Sequence, residues 1–148
     1  MGVIVPPIGG IVYLDANALI YSVETHADFW PLLEPVWDLA QAGQLQLATS
    51  ELSLLELLVG PIRNLDSNLI LIYEGVLASP EVSVHPISQE ILREAARLRA
   101  SRKGLRTPDA IHAATGLVHP PSLFITNDSD FRKIPGLPVI VLKDLLKP

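Results

Sequence analysis

Cysteine is absent from the 148 residues, which excludes disulfide frameworks and thiolate zinc sites and leaves oxygen or imidazole as the ligands a metal would find. Long apolar runs are missing too: although 49% of the residues are hydrophobic, no uninterrupted stretch approaches the roughly 20 residues needed to span a bilayer. The opening Met1 to Gly10 is apolar but carries no leading positive charge and runs into Pro6-Pro7, which makes a poor secretory signal. A cytoplasmic protein with no membrane association is expected.

Charge is sparse. Only 18% of the residues are charged and the net charge is −5, which argues against a generally basic nucleic-acid-binding surface while leaving room for a local one. Few charges and a positive mean hydropathy point to more apolar surface than one small domain buries, and so to a dimer or a bound partner. The length is that of one domain, residues 1–148, which at this size buries about 68–70% of its unfolded surface.

Hydrophobic periodicity sets out alternating strands and helices. Ile11 to Leu14 is a short run of β-formers, followed by a helical Ala16 to Val23. A second helix is expected over Asp28 to Ala42, stopped by Gly43, with Pro31 in its first turn and Pro35 as a kink. Leu45 to Thr49 reads as a strand and Ser50 to Val59 as a helix that breaks at Gly60-Pro61. A helical face from Leu69 to Leu77 precedes a third strand, Val82 to Pro86. Ser88 can cap a helix running to about Lys103, with Gly104 at its end. Thr107-Pro108 opens another, with the Thr107 hydroxyl as cap, ending near Gly116. Leu123 to Thr126 and Val139 to Leu142 complete five strands. Strands apolar on both faces and alternating with helices imply an α/β sandwich with a mainly parallel sheet, whose ligands bind beyond the carboxyl ends of the strands where strand order reverses.

Four acids far apart in sequence sit at such ends or in the first turns of helices: Asp15, Glu56, Asp109 and Asp128. Clustered carboxylates push one another's pKa values up, and a divalent cation resolves the repulsion. Each acid also has a structural explanation. Asp15 can simply cap the next helix, with Asn17 two residues on able to orient the acid or a water. Ser53 and Glu56 have the spacing of a capping box, unless the helix starts earlier at Ser50 or Glu51 and Glu56 lies in its interior. Asp109 favours the helix dipole wherever it points, but its helix is otherwise uncharged and made of small residues, so a buried acid in need of a partner is expected there. His112, one turn on, reads as a hydrogen-bonded core histidine. Turn chemistry alone explains Asn127-Asp128-Ser129-Asp130, and either aspartate could face a site; Asp128 is nearer the strand and Asp130 is kept in reserve.

Taken in order and spacing, these segments resemble PIN-domain ribonucleases, specifically the small VapC-type toxins of VapBC (type II) toxin-antitoxin pairs. The likeness spans nearly the whole chain and includes the close, Thr126-Asn127-Asp128 followed by Phe131 and Leu137-Pro138-Val139. Two departures are a longer stretch before Asp15 and the ambiguity between Asp128 and Asp130. The resemblance implies a three-layer α/β/α sandwich with strand order 3-2-1-4-5, and an endoribonuclease that hydrolyses RNA phosphodiester bonds with a metal-activated water. It implies Mg²⁺ or Mn²⁺ held by Asp15, Asp109 and Asp128, with Glu56 handling the attacking water and Asn17 or Thr126 orienting water or ligand. A cognate antitoxin and a second copy of the chain are the implied partners. RNA needs local positive charge, and Arg97, Arg99, Arg102, Lys103 and Arg106 form the densest basic run; Arg99, Arg102, Lys103 and Arg106 are the candidate RNA contacts, although cations late in a helix also serve its dipole.

A catalytically inactive PIN-like module binding metal, RNA or protein is the alternative. A phosphoacceptor receiver domain would want adjacent acids at the first strand, and a haloacid-dehalogenase-type phosphatase an Asp-x-Asp pair where this chain has Asp15-Ala16-Asn17. A serine hydrolase would want a Gly-x-Ser-x-Gly elbow, which does not occur.

Overall fold

Val12 and Leu14 bury their side chains in one hydrophobic cluster and Tyr13 between them in another, so the first strand is apolar on both faces and must lie inside a sheet covered on both sides. The computed structural model, which describes residues 2–148, has that arrangement. Strand β1 (Ile11–Leu14) is the centre of a five-stranded sheet with β2 (Gln46–Ser50), β3 (Val82–His85), β4 (Leu123–Thr126) and β5 (Val139–Val141). Every pairing is parallel and the order is β3-β2-β1-β4-β5, the order that the resemblance implied.

Helices α1 (Ala16–Val23), α2 (Trp30–Gln41), α3 (Leu52–Arg63), α4 (Ser67–Leu77) and the short α7 (Leu142–Leu145) pack with Val12, Leu14, Leu47 and Ile125. Helices α5 (Gln89–Ser101) and α6 (Thr107–Val118) pack with Tyr13, Ala48 and Phe124 on the other face. The strand order reverses between β1 and β4, whose register pairs Tyr13 with Phe124 and Leu14 with Ile125. The residues that follow both strands therefore emerge side by side.

Several element ends differ from the sequence expectation. Helix α3 does not break at Gly60-Pro61 but runs on to Arg63; the turn falls at Asn64 and Leu65, the latter at φ 55, and Asp66 then caps α4 through Leu69 N–H. Helix α2 continues through Pro35. The cap of α6 is Arg106 rather than Thr107, whose hydroxyl instead accepts from Arg99 Nη1. Nor does α6 stop at Gly116. That glycine is interior, and a Cβ there would meet Leu137 Cδ2 at 2.9 Å and Phe124 Cδ2 at 3.0 Å, so it serves close helix-to-sheet packing. Strand β5 ends at Val141, since Leu142 turns into α7.

Candidate active site

Asp15 is the first residue beyond β1 and is 6% exposed. One of its oxygens, Oδ1, accepts the Ala18 N–H at 3.0 Å and so caps α1, while Oδ2 accepts the Thr126 hydroxyl at 2.5 Å from the end of β4. The capping explanation and a site-facing position are thus compatible. Burial pushes the carboxyl above the ordinary aspartate range, opposed by the nearby His112, the Thr126 hydroxyl and the Ala18 amide. Thr126 Oγ1 also accepts the Asp128 N–H at 3.1 Å. Its hydroxyl thus links two of the acids.

Glu56 lies inside α3. The capping-box reading fails because Glu51 is the cap and the Ser53 hydroxyl pairs with Thr49 Oγ1 at 2.7 Å. Glu56 Oε1 instead meets His112 Nε2 at 2.6 Å, and His112 Nδ1 meets the Tyr13 hydroxyl at 2.6 Å. His112 is 3% exposed, a core histidine as expected, yet it is bonded to one of the four acids. Burial and, next, the charge of Asp15 hold the Tyr13 phenol well above its ordinary pKa.

Asp109 sits in the first turn of α6. It is half-buried, less enclosed than the sequence implied, and its Oδ2 pairs with Arg106 Nε at 3.2 Å. Asp128 is half-buried and caps the 3₁₀ turn Ser129–Lys133 by accepting the Asp130 N–H at 2.9 Å.

A cavity of about 140 Å³ gathers these groups: Asp15, Glu56, Asp109 and Asp128 line it together, with exposed Asn17 on its rim and Arg106 and His112 in its wall. Beside it a larger cavity of about 540 Å³ is lined by Arg102, Lys103, Arg106 and Lys133. Arg106, Asp109 and Asp128 border both, so acidic and basic ends form one groove. Asp130 borders only the basic cavity, 67% exposed and paired with Lys133 at 3.1 Å. Arg99 lines neither; it donates to Leu105 O and Thr107 Oγ1 and braces the α5–α6 loop. Arg97 pairs with Glu94.

The donor set is all oxygen, which suits a hard cation. Among the described residues no three carboxylates or imidazoles converge into a ready-made cage. Magnesium does not require one, because it keeps several waters and binds through one or two carboxylates. The residues present therefore fit a solvated magnesium or manganese ion.

Sequence reasoning missed the part three residues play in this arrangement: Tyr13, His112 and Lys133. The Tyr13 hydroxyl reaches the site through His112, and the strand period that puts Tyr13 on the same face as Asp15 was the available signal. The helical spacing that puts His112 over Asp109 was the corresponding signal on α6. Lys133 joins the basic rim from across the groove, and nothing local in sequence marks it.

The PIN domain family matches residues 12–137. No curated protein is a significant match in sequence. Among solved structures, the chain is similar to a toxin-antitoxin complex from Klebsiella pneumoniae at 27% identity and TM-score 0.65, covering 88% of this chain and 96% of that one. It is similar in fold to VapBC2 from Rickettsia felis bound to a DNA fragment from its promoter, at 20% identity and TM-score 0.71, with coverage of 88% and 98%. DNA-bound VapBC from Salmonella typhimurium gives 20% identity and TM-score 0.72, with coverage of 88% and 97%.

Proposed function

The chain belongs to the PIN domain family, and from that premise we propose that it is a magnesium- or manganese-dependent endoribonuclease, the toxin of a VapBC-type pair, acting in the cytoplasm. The observation that carries the reading is the meeting of Asp15, Glu56, Asp109 and Asp128 on one small cavity at the β1/β4 switch point, with a basic cavity adjoining it.

Asp15, Asp109 and Asp128 would hold the cation, which when bound supplies positive charge to stabilise the phosphoryl group during displacement. Glu56 takes the proton of the attacking water on the oxygen not engaged by His112. The water oxygen forms a bond to phosphorus as the bond to one sugar oxygen breaks. That sugar oxygen leaves as a hydroxyl after taking a proton from solvent, and Glu56 returns its own proton to solvent. Arg102, Lys103 and Lys133 draw the flanking phosphates along the groove.

Partner binding has its own support. Helix α3 exposes Leu54, Leu55, Val59 and Ile62, and together with Leu58 these line an open apolar surface on the helix that also carries Glu56. A cognate antitoxin helix laid there would lie close to the acidic cavity, and a second copy of the chain is the other proposed partner. No helix among the described residues is long and apolar enough to cross a membrane.

The test is cleavage of a structured RNA pool by antitoxin-free protein, with Mg²⁺ or Mn²⁺ and with chelator, comparing wild type with a folded Asp109→Asn variant. Metal-dependent cutting abolished by the substitution is expected. Wild type and variant equally inert with every divalent ion and RNA class would favour an inactive binding module.

A further inference from the structure

Beneath the acidic cavity runs a line of hydrogen bonds: Tyr13 hydroxyl to His112 Nδ1 at 2.6 Å, and His112 Nε2 to Glu56 Oε1 at 2.6 Å. The three residues come from β1, α6 and α3, the elements that bear or precede Asp15, Asp109 and Glu56. Tyr13 and His112 are almost wholly buried, whereas Glu56 is half-exposed to the cavity. The line therefore leads from the core to the surface of the candidate site.

Its direction follows from what each group can donate. A tyrosine phenol is protonated at neutral pH, and among the described residues His112 Nδ1 is the hydrogen-bond partner of the Tyr13 hydroxyl. The neighbouring threonine hydroxyls are engaged elsewhere: Thr115 donates to Ile111 O at 2.7 Å and Thr49 pairs with Ser53. If Tyr13 donates to Nδ1, the imidazole proton resides on Nε2 and points at Glu56, because in neutral histidine one ring nitrogen accepts while the other donates. A buried ring, packed edge-on against Tyr13 at 5.9 Å between centroids, can hold that direction without further freedom.

We propose that Tyr13 and His112 are positioning residues: the Tyr13 hydroxyl anchors the His112 ring at Nδ1 while Glu56 accepts from Nε2–H, and that N–H pins one oxygen of Glu56 so that the other is presented to the cavity. As a contribution to catalysis this rests on the nuclease reading. A glutamate on an exposed helix surface samples many rotamers, whereas one that must meet an attacking water has to be held in one of them. Tyr13 supplies that restraint from the core and touches no substrate.

The test uses three full-length variants, Tyr13→Phe, His112→Leu and His112→Gln, each checked for folding by circular dichroism and thermal melting. Tyr13→Phe keeps the ring that stacks on Phe124 at 4.6 Å, so it removes little besides the hydroxyl. The direct readout is the pair of imidazole ¹⁵N shifts of His112 by long-range ¹H–¹⁵N correlation, which needs neither metal nor RNA. Wild type is expected to show a pyrrole-type Nε2 and a pyridine-type Nδ1, and Tyr13→Phe to move the Nδ1 shift as its hydrogen bond is lost.

In metal-dependent RNA cleavage, Tyr13→Phe and His112→Leu are expected to lower kcat by about 10- to 100-fold, the usual effect of losing a partner one shell out, with KM unchanged. His112→Gln should recover part of the loss, because its amide N–H can still reach Glu56. An Nδ1–H tautomer in the wild type, or a Tyr13→Phe variant with unaltered ¹⁵N shifts and unaltered kcat, would overturn the proposal. RNA left intact by a wild type whose ¹⁵N shifts do respond to Tyr13→Phe would end the nuclease reading while supporting the relay as the holder of Glu56.

Discussion

The Thr126 hydroxyl donates to Asp15 Oδ2 at 2.5 Å across 111 positions of sequence, and Thr126 Oγ1 itself accepts the Asp128 N–H. One side chain at the end of β4 thus sets the spacing of two acids on the candidate site. Thr126→Val keeps the shape but leaves a buried carboxylate oxygen and a backbone N–H without partners. A loss of about 1–3 kcal/mol is expected from such orphaned groups, read as a fall in Tm, together with weaker Mn²⁺ binding by calorimetry. Thr126→Ser should restore both, and a Thr126→Val variant that binds Mn²⁺ like wild type would show that the hydroxyl does not organise the acids.

Asp15 makes a different prediction because burial raises its carboxyl pKa. The folded protein then favours the protonated form. Its contribution to stability is fully present below the unfolded value of 3.8 and is lost as pH rises through the raised folded value. Above that raised value the ionised, buried Asp15 is a cost, of the kind functional sites carry at the expense of stability. Asp15→Asn keeps an acceptor for the Ala18 amide and can turn its own N–H toward Thr126. Its Tm should exceed that of wild type at pH 7, by about 2–4 °C for each kcal/mol recovered, and the gap should close as pH falls toward 4. A variant less stable at every pH would mean that the two hydrogen bonds outweigh the burial.

Divalent ions should reverse that order. A ligand that binds only the folded state stabilises by about 2.7 kcal/mol at a hundredfold excess over its Kd, so Mg²⁺ or Mn²⁺ titration is expected to raise the Tm of wild type and leave that of Asp15→Asn nearly unmoved. Chelator should return wild type to its starting value. Equal shifts in the two proteins would place the bound ion away from Asp15.

Fold and acids were legible in the sequence to different depths. Strands buried on both faces write themselves as short apolar runs such as Leu123 to Thr126, so the parallel sheet could be read locally, and the resemblance supplied its order. Helix ends were less legible, because Gly60-Pro61 and Gly116 look like stops in isolation while tertiary packing carries both helices through them. The partner of Glu56 was illegible for another reason. Ser53 offered a local capping explanation, whereas His112 lies 56 positions away, and only the packing of α3 near α6 brings the two together. Asp128 and Asp130 could not be separated in sequence because each suits a turn; in the fold, their placement separates them, with Asp128 on the shared cavity and Asp130 on the basic one alone.

If the basic end of the groove takes RNA phosphates as proposed, the charges that line it part from those that brace the fold. Arg102, Lys103 and Lys133 line the cavity beside the acids. For single-stranded nucleic acid each phosphate contact contributes about −0.7 to the slope of log affinity against log salt. Changing all three to glutamine should therefore flatten that slope by about 2 and weaken RNA binding at low salt. Arg99→Gln should leave the slope alone and lower Tm instead, since Arg99 holds Leu105 and Thr107. Fluorescence anisotropy over a salt series checks both, and an unchanged slope in the triple variant would remove the basic rim from RNA binding.

Helix α3 gives the partner prediction. Leu55 and Ile62 are 61% and 56% exposed, seven positions apart on one face, with Val59 between them. Charging such positions costs a lone domain little, because their surface already meets water, so Leu55→Glu and Ile62→Glu should each melt close to wild type. Association is another matter. If an amphipathic antitoxin helix buries this face, a carboxylate in its centre is desolvated without a partner, and hot-spot truncations of about 2 kcal/mol or more are the fitting comparison. Each variant should therefore lose at least about 30-fold in affinity for the cognate antitoxin while its RNA cleavage persists, because neither side chain lines the acidic cavity. Sedimentation of the chain alone separates the two proposed partners: a dimer that dissociates with Leu55→Glu puts the second copy on α3, and a dimer that survives leaves that face to the antitoxin. Unaltered antitoxin affinity in both variants would rule α3 out as its docking face.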